Sequence, residues 1–511
     1  MTSLWQLTSP HIASDKFDGR RRDVVVAGAG LTGLLTAVLL ARSGTSVTVL
    51  EARQVGAVTT GNTTGKLSLL QGTTLSTLRE YTDDDILRAY VTANREGQQL
   101  VVDQIENSLE PVDRRTAYTY ASTPAQRELL ERELDACHVA GVEAVAAAES
   151  GLPYETFGVL RLDQQVQLHP MRMLALLASE LRRLGATLVE HCRVRDVEQE
   201  QAALRVVTDQ GDITADTCVL AMGTPILDRG MFFVKLRPTR SYVNAFRVSS
   251  DTLPEGMYVS VGEPTRSLRT AEDGEGERLL VVGGEAKPVG RADSTSAEIE
   301  RLDTWADLHF TGAQRVCWWA AQDYRTHSRL PFAGALPRGG GRIFTATGFN
   351  KWGMTNGAAA AKALCAEILG QPLDWATQLN DHCVRLLEAR DAFGVNAAVA
   401  GKLVSGWAAA ELRSAQSVGE PSEGEGVVAR QGTSPVAISR TNGKLCRVSG
   451  VCTHLGGILR WNDAERTWDC PLHGSRFDAT GSLLEGPAVR DLDRAPSPHI
   501  EDTGPAHTPH E

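Results

Sequence analysis

Apolar and polar positions follow three distinct patterns along the chain. Val24-Val25-Val26-Ala27 is a short unbroken run rich in β-branched residues, as in a strand buried on both faces. A glycine turn follows, and then Leu31, Leu34, Leu35, Val38 and Leu39 recur at helical spacing until Ser43-Gly44. Val47-Thr48-Val49-Leu50 forms a second strand that ends on the acid Glu51. Met173, Leu174, Leu177, Leu181 and Leu184, stopping at Gly185, predict an amphipathic scaffold helix. Leu279-Leu280-Val281-Val282 and Arg342 to Thr347 read as further strands, each ended by glycine. From residue 427 the pattern changes. Val427-Val428-Ala429, Pro435 to Ile438 and Leu445 to Val448 are separated by Gln431-Gly432 and Asn442-Gly443 turns, which predicts a small antiparallel β domain over 427–500. The polar Gly- and Pro-containing stretch 415–426 reads as the linker to it, and 501–511 as a flexible tail whose His507 and His510 carry no metal logic.

A chain of 511 residues exceeds what one core serves, so two or more domains are expected. The net charge of −11 argues against a nucleic-acid surface, which needs clustered Lys and Arg. No apolar run approaches the ~20 residues of a membrane helix, and the polar start has no signal-peptide core. Arg20-Arg21-Arg22 precedes an apolar segment, but that segment opens a nucleotide-binding unit that an export signal would not contain. A cytoplasmic protein with no membrane partner is expected. Seven of nine cysteines lack any pairing pattern, as reduced buried thiols do; Cys452 and Cys470 alone stand in a patterned context.

Between the first strand and helix lies Gly28-Ala29-Gly30-Leu31-Thr32-Gly33, a dinucleotide-binding GxGxxG. Gly28 permits the turn, Gly30 lets backbone approach a pyrophosphate, and Gly33 brings the helix close to the strand. Leu31 and Thr32 offer amides at the helix start. Glu51, eighteen residues past Gly33, is placed to bind a ribose, with Ala52 and Arg53 beside it. FAD and NAD share this ADP half, so the motif leaves the choice open. The loop Thr59-Thr60-Gly61-Asn62-Thr63-Thr64-Gly65-Lys66 offers hydroxyls, amides and a cation to a flavin. Gly348 ends a late strand and leads through Lys351, Trp352, Gly353, Met354 and Thr355 into an Ala-rich helix, whose N-terminus suits a flavin pyrimidine. No second GxGxxG is present, so no NAD(P)H domain is expected.

In the C-terminal part, Cys452-Thr453-His454 is followed after fifteen residues by Cys470-Pro471-Leu472-His473. Each loop supplies one sulfur and one nitrogen. A Rieske [2Fe–2S] centre needs that partition, two thiolates on one iron and two imidazoles on the other. The alternative, a Cys2His2 zinc site, fits poorly because zinc fingers space like residues in pairs.

The opening VVVAGAGLTGLLTA, the TTGNTTGKLS loop, Gln167-Leu168-His169-Pro170, Arg240-Ser241-Tyr242, Gln322-Asp323-Tyr324 and GFNKWGMTNG together resemble the D-amino-acid-oxidase-like FAD-dependent oxidoreductases, in particular the subgroup with a C-terminal Rieske domain. The resemblance implies an α/β FAD-binding domain of Rossmann-like, glutathione-reductase type over 1–414, built from about 20–75, 165–225 and 335–370. A mixed substrate-binding sheet, mainly 76–164 and 226–334, is interleaved with it, and a small all-β Rieske domain follows. It also implies FAD contacts at Val194 and Gly223, and candidate catalytic roles for Arg240, Tyr242, Lys351 and His327. Many Rieske domains brace the cluster with a disulfide; here Gly457 and Leu472 stand at those positions, which implies a disulfide-free variant. The implied reaction is two-electron oxidation of a small substrate, at a C–N bond of an amine, amino acid or N-heterocycle, coupled to one-electron transfer through the cluster to an external partner such as a ferredoxin or reductase. Reverse flow from a reductase through the cluster to FAD, and a non-enzymatic sensor or carrier, are the alternatives.

Overall fold

The computed structural model describes residues 2–108, 111–390, 419–432 and 434–495, with backbone alone for 384–390. The tail 501–511, with His507 and His510, and residues 415–418 of the expected linker lie outside the described residues.

Five strands form a parallel core in the order Ile343–Thr347, Gly211–Leu220, Arg22–Ala27, Val47–Leu50, Thr187–Val189. Val24 to Ala27 are at most 2% exposed, because the helices Leu31–Arg42, Pro170–Arg183 and Gly353–Ile368 cover Val24 and Val26 on one face while Val194, Val197, Leu204 and Val206 pack with Val25 and Ala27 on the other. That burial on both sides is why the strands read as continuous apolar runs. Strand order reverses at Arg22–Ala27, so a crevice opens at the carboxyl ends of this strand and Gly211–Leu220, where open α/β sheets bind ligands. Gly28 sits there at φ +111°, and a side chain on it would meet Ala221 O at 2.5 Å.

A second sheet of nine strands is mixed, running from Gln314–Thr326 at one edge through Leu236–Arg247 and Arg278–Pro288 to Val159–Gln167 and Lys66–Leu67. The strand Lys66–Leu67 pairs with Val159–Gln167 in this sheet, so the segment 20–75 is divided between the two sheets instead of serving the parallel one alone. Val194–Gln199 and Leu204–Thr208 form a hairpin that joins the parallel sheet through Gly211–Leu220.

The C-terminal part holds a three-stranded meander, Gly426–Gln431, Ser434–Thr441 and Lys444–Ser449, and a four-stranded sheet from Arg460–Asn462 to Leu483–Glu485. Its own core contains Trp468, Phe477 and Leu459.

The N-terminal segment is more than a polar lead-in. Trp5 is 1% exposed, donates to Thr63 O at 2.6 Å and meets Trp319 and His169 edge-on. Ser3 Oγ donates to Gly61 O at 2.5 Å. The segment thus braces the Thr/Gly loop from behind. His169 is structural: its Nδ1 accepts from Arg172 N at the start of a helix.

Candidate functional site

Two cavities meet inside the larger part of the molecule. The first, of about 240 Å³, follows the crevice and is lined by Gly28, Gly30, Leu31, Thr32, Glu51, Ala52, Arg53, Thr59, Thr60, Thr63, Val194, Gly223, Gly348, Lys351 and Gly353. Glu51 accepts from Ala29 N and Arg53 N, each at 2.9 Å. Burial raises its pKa against those two amides. Thr60 Oγ1 accepts from Leu31 N at 3.2 Å, which ties the Thr/Gly loop to the helix start. Gly33 lies outside the cavity; a side chain there would strike Gly28 O at 1.9 Å, so its role is helix-to-strand approach.

The second cavity, of about 390 Å³, lies against the mixed sheet. Thr64, Lys66, Tyr242, Trp352 and Met354 line it and not the first. Lys66 Nζ donates to Tyr258 O and Ser267 Oγ, both at 2.6 Å, and burial holds its pKa well below the usual lysine value. Thr355 lines neither cavity, because its hydroxyl is spent on Gln71 Nε2 and Trp352 O. Thr59, Thr63, Asp323 and Lys351 line both cavities and mark their junction. Asp323 brings a carboxylate there beside the Lys351 amide and the Thr239 hydroxyl, and burial raises its pKa against them. Burial, then Arg325, lower Lys351 to about 8, against the pull of Asp323.

Two expected catalytic residues are elsewhere. Arg240 lines neither cavity: it is 3% exposed and forms a fork on the Glu465 carboxylate of the C-terminal domain. Arg476 joins Glu465, Asp469 and Glu485 to the same network. An Arg-Ser-Tyr sequence in a strand carries no signal for a carboxylate 225 residues away. His327 sits in an exposed turn after Gln314–Thr326 and also lines neither cavity.

The C-terminal domain contributes what the sequence reading missed: Leu484, Glu485, Gly486 and Ala488 form part of the first cavity's wall. Arg193 Nη2 donates to Leu483 O at 3.0 Å and holds this segment in place. Arg193 itself lines the cavity near Glu51.

Cys452, Cys470 and His473 are buried, at 2%, 2% and 4% exposure. The His454 and His473 rings lie 5.0 Å apart at 87°, and the Nδ1 of each is buried without a hydrogen-bond partner. Burial lowers both imidazole pKa values, His473 to about 4, keeping them neutral as metal ligands must be. Cys470 Sγ stands 3.0 Å from where a side chain on Gly457 would begin, and Leu472 fills the space over Gly457 where a bracing disulfide would lie. Two thiolates and two imidazoles, one of each from either loop, fit a [2Fe–2S] centre, and the Cys-x-His and Cys-x2-His spacings do not match a zinc finger. The crevice, the Glu51 acceptor and the glycine approach fit the ADP half of FAD in the same way.

The FAD dependent oxidoreductase (DAO) family matches residues 23–367, and the Rieske [2Fe-2S] domain matches residues 412–496. The Rieske 2Fe-2S iron-sulfur protein YhfW of Bacillus subtilis (strain 168) is 28% identical over 475 residues, covering 92% of each chain. Glycine oxidase from Geobacillus kaustophilus shares the fold with a TM-score of 0.59 at 17% identity, covering 69% of this chain and 96% of its own. L-proline dehydrogenase from P. horikoshii does so with 0.59 at 16% identity, covering 71% and 98%. The chain therefore belongs to the DAO family of FAD dependent oxidoreductases and binds FAD, and its C-terminal Rieske domain binds a [2Fe–2S] cluster.

Proposed function

We propose that the protein oxidises a C–N bond of a small amine, amino acid or N-heterocycle and passes the electrons singly through the Rieske cluster to an external one-electron acceptor. The carrying observation is the seating of the cluster-ligand loop on the strand that lines the cofactor cavity: Gly474, next to His473, accepts from Gln322 at 2.8 Å, and Asp323 follows. Bound FAD supplies the hydride acceptor, and the cluster takes electrons one at a time. The lining residues of the first cavity hold the dinucleotide, Glu51 accepting from its ribose. The second cavity holds the substrate, with Tyr242 on its wall. There Arg325, Arg329 and Lys351 face Glu263 and Asp323, so opposite charges are available to a zwitterion. Asp323 takes the proton that an ammonium must lose before oxidation, and Lys351 opposes the negative charge of reduced flavin. Residues 1–414 form the FAD-dependent part and 427–500 the Rieske part. Nine unpaired cysteines suit a reducing cytoplasm.

Anaerobic mixing with panels of amines, amino acids and N-heterocycles should bleach the flavin band and then raise the reduced-cluster EPR signal. Bleaching by NAD(P)H alone would refute this direction. Similarity of fold to glycine oxidase and L-proline dehydrogenase supports the substrate class.

A further inference from the structure

The cluster-ligand loop and the cofactor cavity meet on one amide side chain. Gln322, 1% exposed, lies in the strand Gln314–Thr326. Its Nε2 carries two N–H bonds and both are used, one to Gly474 O at 2.8 Å and one to Tyr324 Oη at 2.9 Å. Gly474 is bonded directly to the ligand His473. Tyr324 lines the first cavity, with its ring so close to Gly223 that a side chain there would begin 2.4 Å from Cε2. The Tyr324 hydroxyl also donates to Gly486 O at 3.4 Å, in the Rieske segment that walls the same cavity. On the other side, the Gln322 main-chain carbonyl accepts from Thr59 Oγ1 at 2.7 Å, and Thr59 stands at the junction of the cavities.

Strand geometry makes this convergence possible. Gln322 and Tyr324 are two residues apart and share a face, and their partners on the neighbouring strand are Arg240 and Pro238. Gly474 at φ +80° reaches that platform because it has no side chain: one would meet Pro238 Cβ at 2.6 Å and Gln322 Nε2 at 2.8 Å. Docking alone does not explain the amide. Arg240 and its carboxylate partners already bind the two parts, and Gln322 Oε1 is buried without a partner, which an apolar side chain would avoid.

We propose that Gln322 is the positioning residue of the electron route between flavin and cluster, joining the His473-Gly474 backbone to Tyr324 through two hydrogen bonds. The inference rests on the reading that flavin electrons leave through the cluster. The first transfer takes one electron from the two-electron-reduced flavin and the second takes the one remaining; each turns one ferric ion ferrous, with no bond between heavy atoms changed. The second electron follows once a one-electron acceptor protein has reoxidised the cluster, and the flavin proton goes to water.

The test uses holoprotein under anaerobic conditions, with flash photoreduction of the flavin followed by cluster absorbance and freeze-quench EPR. Gln322→Leu should slow flavin-to-cluster transfer about tenfold, or about 1.4 kcal/mol in barrier. Tyr324→Phe, which keeps the Gly474 contact, should slow it by a smaller factor. Both variants are compared after saturation with FAD and at equal cluster content, and the cluster EPR signal, its midpoint potential and its direct reduction by dithionite should match those of the unsubstituted protein. Unsubstituted rates in the loaded variants would overturn the route, and so would a slowing fully accounted for by a shifted cluster potential. Should Gln322→Leu fail to accumulate as holoprotein, Tyr324→Phe decides by the same criteria. If the unsubstituted protein shows no transfer while each cofactor still reduces separately, the proposed function itself fails and takes the route with it.

Discussion

Lys351 and Asp323 show how a place on a cavity wall sets chemistry at single residues. With its pKa brought down to about 8, Lys351 is mostly charged at pH 7 and loses that charge as pH rises through about 8. Flavin reduction by substrate should therefore decline on the alkaline side with an apparent pKa near 8. Lys351→Met should abolish that limb and slow the step by about 10²-fold, read by stopped-flow bleaching across pH. Arg240 illustrates the opposite case, a cation whose place is structural. Removing one partner from a buried ion network costs about 3–5 kcal/mol, so Arg240→Met should lower the thermal unfolding midpoint while leaving substrate affinity of the remaining folded protein unchanged. Pairing it with Glu465→Met should restore most of the loss.

At the scale of elements, the interface is a strand face, Pro238, Arg240, Gln322 and Tyr324, against the loops of the Rieske domain. Its electrostatics carry a sign. Burial pushes Glu465 upward, but Arg240 and Arg476 overcome this and bring it down to about 2. A carboxylate whose folded pKa is depressed contributes stability that is complete above its ordinary value of 4.5 and is lost as pH falls towards about 2. Docking should loosen across that window, seen as faster proteolytic release of the C-terminal domain, and Glu465→Gln should flatten the dependence. Arg476 also pairs with Asp469 and Glu485. Gly474→Ala should also undock the loop, since the left-handed backbone and the close approach to Pro238 both exclude a side chain.

For the whole molecule, the consequence is that the cofactor sites are thermodynamically linked. Rieske residues 484–486 and 488 wall the first cavity, and Ser475, two residues past His473, accepts from Ala488 N at 3.0 Å, so loss of the cluster should weaken FAD retention. The double variant Cys452→Ser/Cys470→Ser should be purified with a lower ratio of flavin absorbance to protein, recovering on added FAD. An unchanged ratio would show that the wall holds without the cluster.

What could be read from the chain alone was local. The GxGxxG turn, Glu51 and the Cys-x-His and Cys-x2-His loops carry their chemistry in spacings of a few residues, fixed by backbone geometry and ligand reach. Trp5, Arg193 and the 484–488 wall were not legible, because each acts on a partner tens to hundreds of residues away: Trp5 on Thr63, Arg193 on Leu483. The same holds for Arg240, since a strand sequence does not say whether its face meets a substrate or, as here, a carboxylate of another domain. The residues by themselves determined which cofactors the chain is built for. Only the tertiary structure decided how near the two stand and through which side chains they meet, because packing one domain's loop on another's sheet depends on surfaces that no local pattern encodes.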